Sequence, residues 1–336
     1  MMGGFMKNSF IRSICIICAL LMTALSLFSC TPSNEGTESE SDVYIVKFNT
    51  NGGTEIPNVE IRSGQKLKEP ETPTRENYIF IQWEHNTDLW LFNVKEITSD
   101  MTLTARWIAA YDLFKIEHTD NPDELLIAGF KEQKSIHSLS IPEMINGKTV
   151  VGFTDGSMDY THTEHASHIT IPATVRSVGE RSFANIADVH VEFLGALSAL
   201  GVSSFEECKH LEEIKLSEGL TAIPYRCFFG ASALKTIDIP EGVSIIEENA
   251  FTSCEAMQSI VLPSTLATIE DGAFLDTVKM KAVFFRGTEE QFDKIEISNN
   301  NNELLSASIY FYSETKPESD GDFWHYDASG TPILWN

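Results

Sequence analysis

Three imidazoles and a carboxylate fall within seven residues at His162-Thr-Glu164-His165-Ala-Ser-His168. Neutral imidazole and carboxylate are the donors that zinc and other borderline metals accept. The order does not fit a helical zinc hydrolase, because H-E-x-x-H needs glutamate directly after the first histidine and H-x-x-E-H fails as well. A polar, solvated loop running into a strand at His168 accounts for the segment, with a structural or adventitious metal as the alternative. We therefore assign no metal ligand and no cofactor.

The other reactive side chains lead away from catalysis. Of six cysteines, Cys208 and Cys254 hold the same phase two repeats apart, which separates their Cα atoms by about 10 Å, beyond the roughly 7 Å reach of a disulfide. Cys227 sits in another phase, and all three read as small buried hydrophobes. No G-x-S-x-G, Walker, G-x-G-x-x-G or EF-hand spacing occurs, and Asp320-Gly321-Asp322 is too short to mean calcium. The expectation is a protein with no catalytic residue.

Charge narrows the partners. The 336 residues carry 24 bases against 49 acids, a net charge of −25, with 42% hydrophobic and 22% charged residues. Such a chain is globular in composition. It repels phosphate backbones, since nucleic-acid binding needs a basic footprint that releases counterions, and it favours cationic ligands.

The amino terminus has the order of a secretion signal. Lys7 and Arg12 precede an apolar run from Ile14 to Phe28, shorter than the roughly 20 apolar residues of a spanning helix. Leu27-Phe28-Ser29-Cys30 resembles the bacterial lipobox, which implies that residues 1–29 are removed and that Cys30 is lipidated and anchors the chain. Thr31 is not the acidic residue associated with inner-membrane retention, so the expected location is the outer membrane or cell surface. Residues 30–42 carry no large apolar side chain and read as a flexible tether.

What positions any site is found by looking for internal periodicity. Ile214-Lys-Leu, Ile237-Asp-Ile, Ile260-Val-Leu and Val283-Phe-Phe begin at intervals of 23, and Phe205, Phe228, Phe251 and Phe274 repeat at the same interval, with Phe183 lying 22 earlier. The spacing from Phe153 to Phe183 is 30, so that repeat carries an insertion of about seven residues, beside the histidines. One 23-residue unit cannot cover its own apolar face, whereas stacked copies bury theirs against each other. Leu211-x-x-Ile214-x-Leu216 and Leu234-x-x-Ile237-x-Ile239 have L-x-x-L-x-L spacing, in which alternate residues of a short strand point inward. These residues, with Ile237-Asp-Ile-Pro-Glu-Gly-Val through Ala250-Phe251-Thr-Ser-Cys254, resemble the BspA-like leucine-rich repeat family from about Ile141 to Arg286. That resemblance implies a surface protein used in adhesion or partner binding.

Upstream of the repeats the pattern changes to alternating strands. Val43-Tyr-Ile-Val-Lys-Phe48 and Met101-Thr-Leu-Thr-Ala-Arg-Trp107 read as two edges of one small sheet, with Asn51-Gly52-Gly53 as a turn. Phe48, Gly64, Leu67, Pro73-Thr74-Arg75, Tyr78, Phe80, Trp83 and Ile97-Thr98 make the segment similar to the internalin-type B repeat, a β-grasp-like module. It departs from that pattern at Asn77 and Gln82, where glycine is usual. Downstream, Gly287 to Phe292, Ile309 to Glu314, Trp324-His325-Tyr326 and Pro332 to Trp335 resemble the unit that closes such arrays.

The expected fold is mainly β: a leucine-rich-repeat solenoid of 23-residue repeats (137–290), preceded by a small β-grasp-like domain (43–107) and a connecting segment with an amino-terminal cap (108–136), and closed by a capping unit (291–336). Its expected binding surface is the outward strand face. One column runs Thr170, Glu192, Lys215, Asp238, Val261 and Phe284, and the column beside it His168, His190, Glu213, Thr236, Ser259 and Ala282. Glu192, Lys215 and Asp238 should attract one another across neighbouring strands, which a plain stabilising ladder explains as well as a ligand site does. Val261 and Phe284 should expose apolar surface, unless Phe284 packs beneath the cap. The expected function is presentation of this face to a protein or glycan of a host or neighbouring cell. The alternatives are a structural spacer without a ligand and a metal-binding protein through His162 to His168.

Overall fold

The structure is a computed structural model and describes residues 42–132, 136, 138–158, 168–186, 188–318 and 321–335. The secretion signal, Cys30, the tether up to residue 41, and His162, Glu164 and His165 lie outside the described residues.

Strands β1 (Val43–Asn49), β2 (Val59–Arg62), β3 (Tyr78–His85), β4 (Asp88–Leu89) and β5 (Met101–Ala109) form one sheet in the order β2-β1-β5-β3-β4. This corrects the sequence expectation, because β1 and β5 are not its edges. They lie side by side at its centre, parallel, with Phe48 opposite Leu103. The alternation was read correctly, but the pairing depends on contacts more than fifty residues apart. Inward residues Val46, Leu67, Phe80, Trp83, Ile97 and Leu103 make the core, with Phe48 edge-on to Trp83 at 5.1 Å. Both departures from the repeat pattern are absorbed locally. Asn77 takes the left-handed conformation at φ 66°, which asparagine tolerates better than most residues, and Gln82 sits at a register shift between β3 and β5. Gly53 is needed for close approach: a Cβ there would lie 2.5 Å from the Trp107 ring, whose indole N–H donates to the Thr50 carbonyl at 2.9 Å.

A short turn of helix, α1 (Ala110–Leu113), leads into an antiparallel hairpin of β6 (Phe114–His118) and β7 (Glu124–Phe130). Ile79 of the small sheet is buried in the same apolar cluster as Phe114, Leu125 and Leu139, so one face of the module packs into the repeats while its own core around Trp83 stays separate.

The repeats follow as β8 (Ser138–Ser140), β9 (Met144–Ile145), β10 (Lys148–Phe153), β11 (His168–Ile171), β12 (Ser177–Val178), β13 (His190–Phe193), β14 (Ala196–Leu197), β15 (Ala199–Leu200), β16 (Lys215–Leu216), β17 (Ala222–Ile223), β18 (Thr236–Asp238), β19 (Ile245–Ile246), β20 (Ser259–Leu262), β21 (Thr268–Ile269) and β22 (Ala282–Phe285). After them come α2 (Glu289–Phe292), β23 (Glu296–Ile297), α3 (Asn302–Ser306), β24 (Ser308–Tyr312), β25 (Phe323–Tyr326) and β26 (Pro332–Leu334). They build two parallel ribbons. The outer ribbon runs β8-β11-β13 and resumes as β18-β20-β22-β24, while the lateral ribbon runs β7-β10-β12-β15 and resumes as β17-β19-β21-β23. Between the ribbons the phenylalanines stack face to face: Phe205 on Phe228 at 5.4 Å, Phe228 on Phe251 at 5.3 Å and Phe251 on Phe274 at 5.3 Å. All are fully buried.

The corners use a device that the sequence conceals. Arg181, Ser203, Arg226 and Asn249 have positive φ, as do Asn185, Glu207, Ser253 and Asp276. Gly272 and Gly230 fill the corresponding places in their own repeats. Each coil therefore turns through two left-handed residues flanking its phenylalanine, mostly without glycine, at a backbone cost that burial of the ring offsets.

Both ribbons break in one region, the outer one on either side of β16, which pairs with neither β13 nor β18, and the lateral one between β15 and β17. Two local causes are visible. Gly201 donates its N–H to Val178 and Glu247 donates to Ile223, but the residue at the equivalent point of the intervening repeat is Pro224, which has no N–H to give. On the outer side, the turn Leu194-Gly195-Ala196-Leu197 lacks the proline or serine that ends the neighbouring strands. Lys215 and Leu216 then pair with Ala196 and Leu197 instead of with β13.

At the carboxy-terminal end β24 extends the outer ribbon and β25 follows β24, turning its side chains back over the outer face. Trp324 is fully buried there against Val261 and Phe284, and its indole N–H donates to the Phe285 carbonyl at 3.0 Å.

Candidate binding face

The outward positions of the outer ribbon divide into a covered half and an open half. In the covered half, the expected exposure of Val261 and Phe284 is corrected. They are 1% and 9% exposed because Trp324 closes over them, and Phe284 also stacks on Tyr310 at 5.6 Å. Asp238 is drawn into the same cover. Tyr326 donates its hydroxyl to Asp238 at 2.8 Å, and the Arg286 guanidinium bonds Asp238, the Ile239 carbonyl and the Tyr326 oxygen. Burial and the neighbouring Asp238 carboxylate hold the Tyr326 hydroxyl well above the usual phenol range, so it remains a donor. The sequence reading missed Arg286, Trp324 and Tyr326 as residues of this face. Their only signal was the apolar, aromatic spacing of Trp324 and Tyr326.

In the open half, β11 and β13 align His168 with His190 and Thr170 with Glu192. The two rings stack at 4.9 Å with an angle of 18°, and His168 Nε2 stands 3.6 Å from Glu192 Oε2. Burial, and then the adjacent His190, hold His168 below the usual imidazole range, although Glu192 acts in the opposite direction. The ring is therefore uncharged at neutral pH, and Glu192 has no permanent counter-charge from it.

The expected attraction among Glu192, Lys215 and Asp238 is not formed, because β16 pairs with neither β13 nor β18. Lys215 instead meets Glu213, two residues earlier in the chain, at 3.9 Å, both well exposed. Where the ribbon parts, His190 to Leu194 and Glu212 to Lys215 line an open cleft of about 350 Å³. Leu194 also belongs to a second hollow of about 650 Å³, lined by Gly53, Arg75, Ile141, Pro142, Met144 and Pro172. The two hollows meet at Leu194, which is 56% exposed.

Cys208, Cys227 and Cys254 are buried and unpaired by disulfides. Burial pushes the thiols of Cys208 and Cys227 up to about 12 and raises that of Cys254 as well, so all three are inert packing groups. Among the described residues no group of three or more His, Cys, Asp or Glu side chains is placed to hold a metal ion. Of the four-residue histidine cluster only His168 is described.

Two stacked parallel ribbons around a phenylalanine spine define a leucine-rich-repeat solenoid. The chain belongs to the BspA type leucine rich repeat family, whose model matches in six copies over residues 128–242 and 189–304, more than half of the sequence. Residues 44–106 match the Listeria-Bacteroides repeat domain. Among curated proteins, a "putative membrane protein" of Evansella cellulosilytica is 35% identical over 71 residues, covering 20% of this chain and 11% of that protein. A "putative Gly-rich membrane protein" of the same organism is 37% identical over 71 residues, 20% of this chain and 8% of that protein. The chain thus spans about a tenth of the length of these relatives. Among solved structures, a leucine rich cell surface protein of Faecalibacterium prausnitzii is similar at TM-score 0.48 and 21% identity, covering 67% of this chain and 62% of that one. A leucine rich repeat protein of T. pallidum is similar at TM-score 0.36 and 20% identity, covering 61% and 86%.

Proposed function

We propose that this protein is a lipid-anchored surface protein that binds a macromolecular partner, protein or glycan, through the open half of its outer ribbon and catalyses no reaction. The observation that carries the reading is the uneven cover of that ribbon. Val261, Phe284 and Asp238 are roofed by Trp324 and Tyr326, whereas Glu192, Glu213 and Lys215 stand exposed beside a hollow that reaches the small sheet. Extended repeat faces of this kind suit large ligands. The surface location draws on the lipobox-like Leu27-Phe28-Ser29-Cys30 and on the names of the relatives.

Photo-crosslinking on intact cells tests the reading. The full chain carries a photoreactive residue at position 190 or 215, or at position 255 outside the outer ribbon as a control. Binding predicts adducts from 190 and 215 that excess unlabelled protein competes away, and none from 255. Equal, non-competable labelling at all three supports a spacer instead. Metabolic labelling with an alkyne fatty acid tests the anchor: Cys30→Ala should abolish it.

A further inference from the structure

Three exposed apolar side chains of the small module fall within six residues. Leu89, Leu91 and Val94 are 48%, 46% and 61% exposed, and with the buried rings of Phe80, Trp83 and Trp90 they line a hollow of about 450 Å³. Single exposed hydrophobic residues are ordinary on a surface, whereas a grouped patch marks a contact with something else. The local pattern sharpens the point. Trp90 is packed in the module core, so alternation calls for polar neighbours on either side of it, and leucine stands at both.

Two observations favour a lipid surface as the cover. The first is where the chain enters the module. Asp42 accepts from the Ser63 N–H at 2.7 Å, the next residue, Gly64, donates to the Ile97 carbonyl at 2.9 Å, and Asn93 donates to the Leu67 carbonyl at 3.1 Å. Residues 63–67 thus run beside 93–97 and carry the strip to within about 14 Å of the entry point. Upstream of Asp42, the twelve residues back to Cys30 span at most about 40 Å, and the apolar run Ile14 to Phe28 lies just beyond. The strip therefore sits on the part of the protein that the tether keeps nearest to lipid.

The second observation is charge. Residues 43–107 carry 7 bases against 9 acids, whereas residues 108–336 carry 15 against 36. Around the strip, exposed Lys66, Lys68 and Lys95 balance Glu69, Asp88 and Glu96, and Lys95 Nζ stands 5.3 Å from the Trp90 ring. A second copy of the chain would set −25 against −25. A headgroup layer instead meets a nearly neutral rim, and any anionic lipid in it repels the repeats and turns them outward. Leucine, valine and aromatic residues bordered by lysines, whose long stems let the ammonium reach water, are the composition of a surface that lies in the interface.

We infer that Leu89, Leu91 and Val94 insert into the lipid surface to which the chain is anchored, seating the small module on the membrane and holding the repeats away from it. The inference rests on the anchor at Cys30 and adds a second contact to it, one that fixes orientation.

The test uses the full chain, produced in cells and reconstituted into phosphatidylcholine vesicles. A nitroxide is attached through Leu89→Cys, Leu91→Cys or Val94→Cys, or through Leu305→Cys as a control at an equally exposed leucine of α3. The native Cys208, Cys227 and Cys254 are buried and escape the label. Power saturation should find positions 89, 91 and 94 open to oxygen and closed to a water-soluble nickel chelate, and position 305 open to nickel. Leu91→Asp combined with Val94→Asp, both at exposed positions, should return the label at 89 to water while the chain still floats with the vesicles. Nickel-accessible labels at 89, 91 and 94 in a chain that floats overturn the inference and leave the anchor standing. Labels shielded from both oxygen and nickel also overturn it, by showing that protein, such as a second copy, covers the strip. A chain that does not float loses the anchor, and the inference with it.

Discussion

The two halves of the solenoid solve the same packing problem with different success. From Ile214 to Val283 the inward residues recur every 23 positions, and every outer strand from β18 to β24 pairs with the next. Before Ile214 the interval slips to 30 and then to 22, yet Phe183 and Phe205 are as fully buried as Phe251 and Phe274. The interior survives the slip, and strand pairing bridges it too, from β8 to β11 and from β11 to β13; the ribbons part instead across a regular 23-residue step, after β13 and β15. Burying a phenylalanine is worth about 1.5–3 kcal/mol, whereas a backbone hydrogen bond contributes about 1 kcal/mol net once water is counted. Where the ribbons part, strand pairing is therefore given up before core.

That contrast can be broken by mutation, beginning with the spine. Phe251→Ala removes a ring stacked on both sides and should cost about 4–5 kcal/mol in urea unfolding, whereas Phe205→Ala, at the level where both ribbons part, should cost nearer 3 kcal/mol, because its loosely paired surroundings can collapse into the void. Equal losses would erase the distinction between the halves. Trp324→Ala should come next, at about 3 kcal/mol, and should add binding of a hydrophobic dye as Val261 and Phe284 are uncovered. Wild-type dye binding in that variant would show that the cover has another source.

Smaller effects sharpen the comparison. Tyr326→Phe removes the hydroxyl shared by Asp238 and Arg286 and should cost about 1–2 kcal/mol, read as faster exchange in β25. In the irregular half, His168 is the group to titrate. Its pKa is depressed in the folded chain, so the unfolded chain binds the proton first as pH falls below the ordinary imidazole value of about 6.5. The stability it contributes is present above that value and is lost on acidification until the folded-state pKa is passed. Amide protection in β11 and β13 should drop as the pH falls through and below the ordinary imidazole value, and His168→Gln should flatten that slope while β20 and β22 stay unchanged. Least of all, Lys215→Ala should shift stability by under about 0.5 kcal/mol. A larger loss would mean that its exposed pair with Glu213 does more than its geometry implies.

Much of the fold was legible because it is periodic. The phenylalanine interval places the spine, and the phase of Cys208 and Cys254 places two thiols inside it. The outward columns were also readable on both sides of the break: His168 beside His190, Thr170 beside Glu192, and Asp238 beside Val261 and Phe284. The failures lie where a long-range choice overrides local pattern. Nothing local to Lys215 announces that it will pair with Ala196, although Pro224 does announce a missing donor. The cover over Val261 was hidden because it depends on β25 lying parallel beside β24 and laying Trp324 over Val261 and Phe284, and the central position of β1 and β5 was hidden because their pairing spans most of the small module.

Ile79 gives this architecture a mechanical character. It ties the small module into the interior of the repeats, and β1, the first described strand, is bonded along both flanks to β2 and β5. A pull on the chain upstream of Val43 therefore loads many rungs at once, in shear along their length, instead of unzipping them one by one. Drag on the repeat face is shared across the whole sheet before any single coil has to yield.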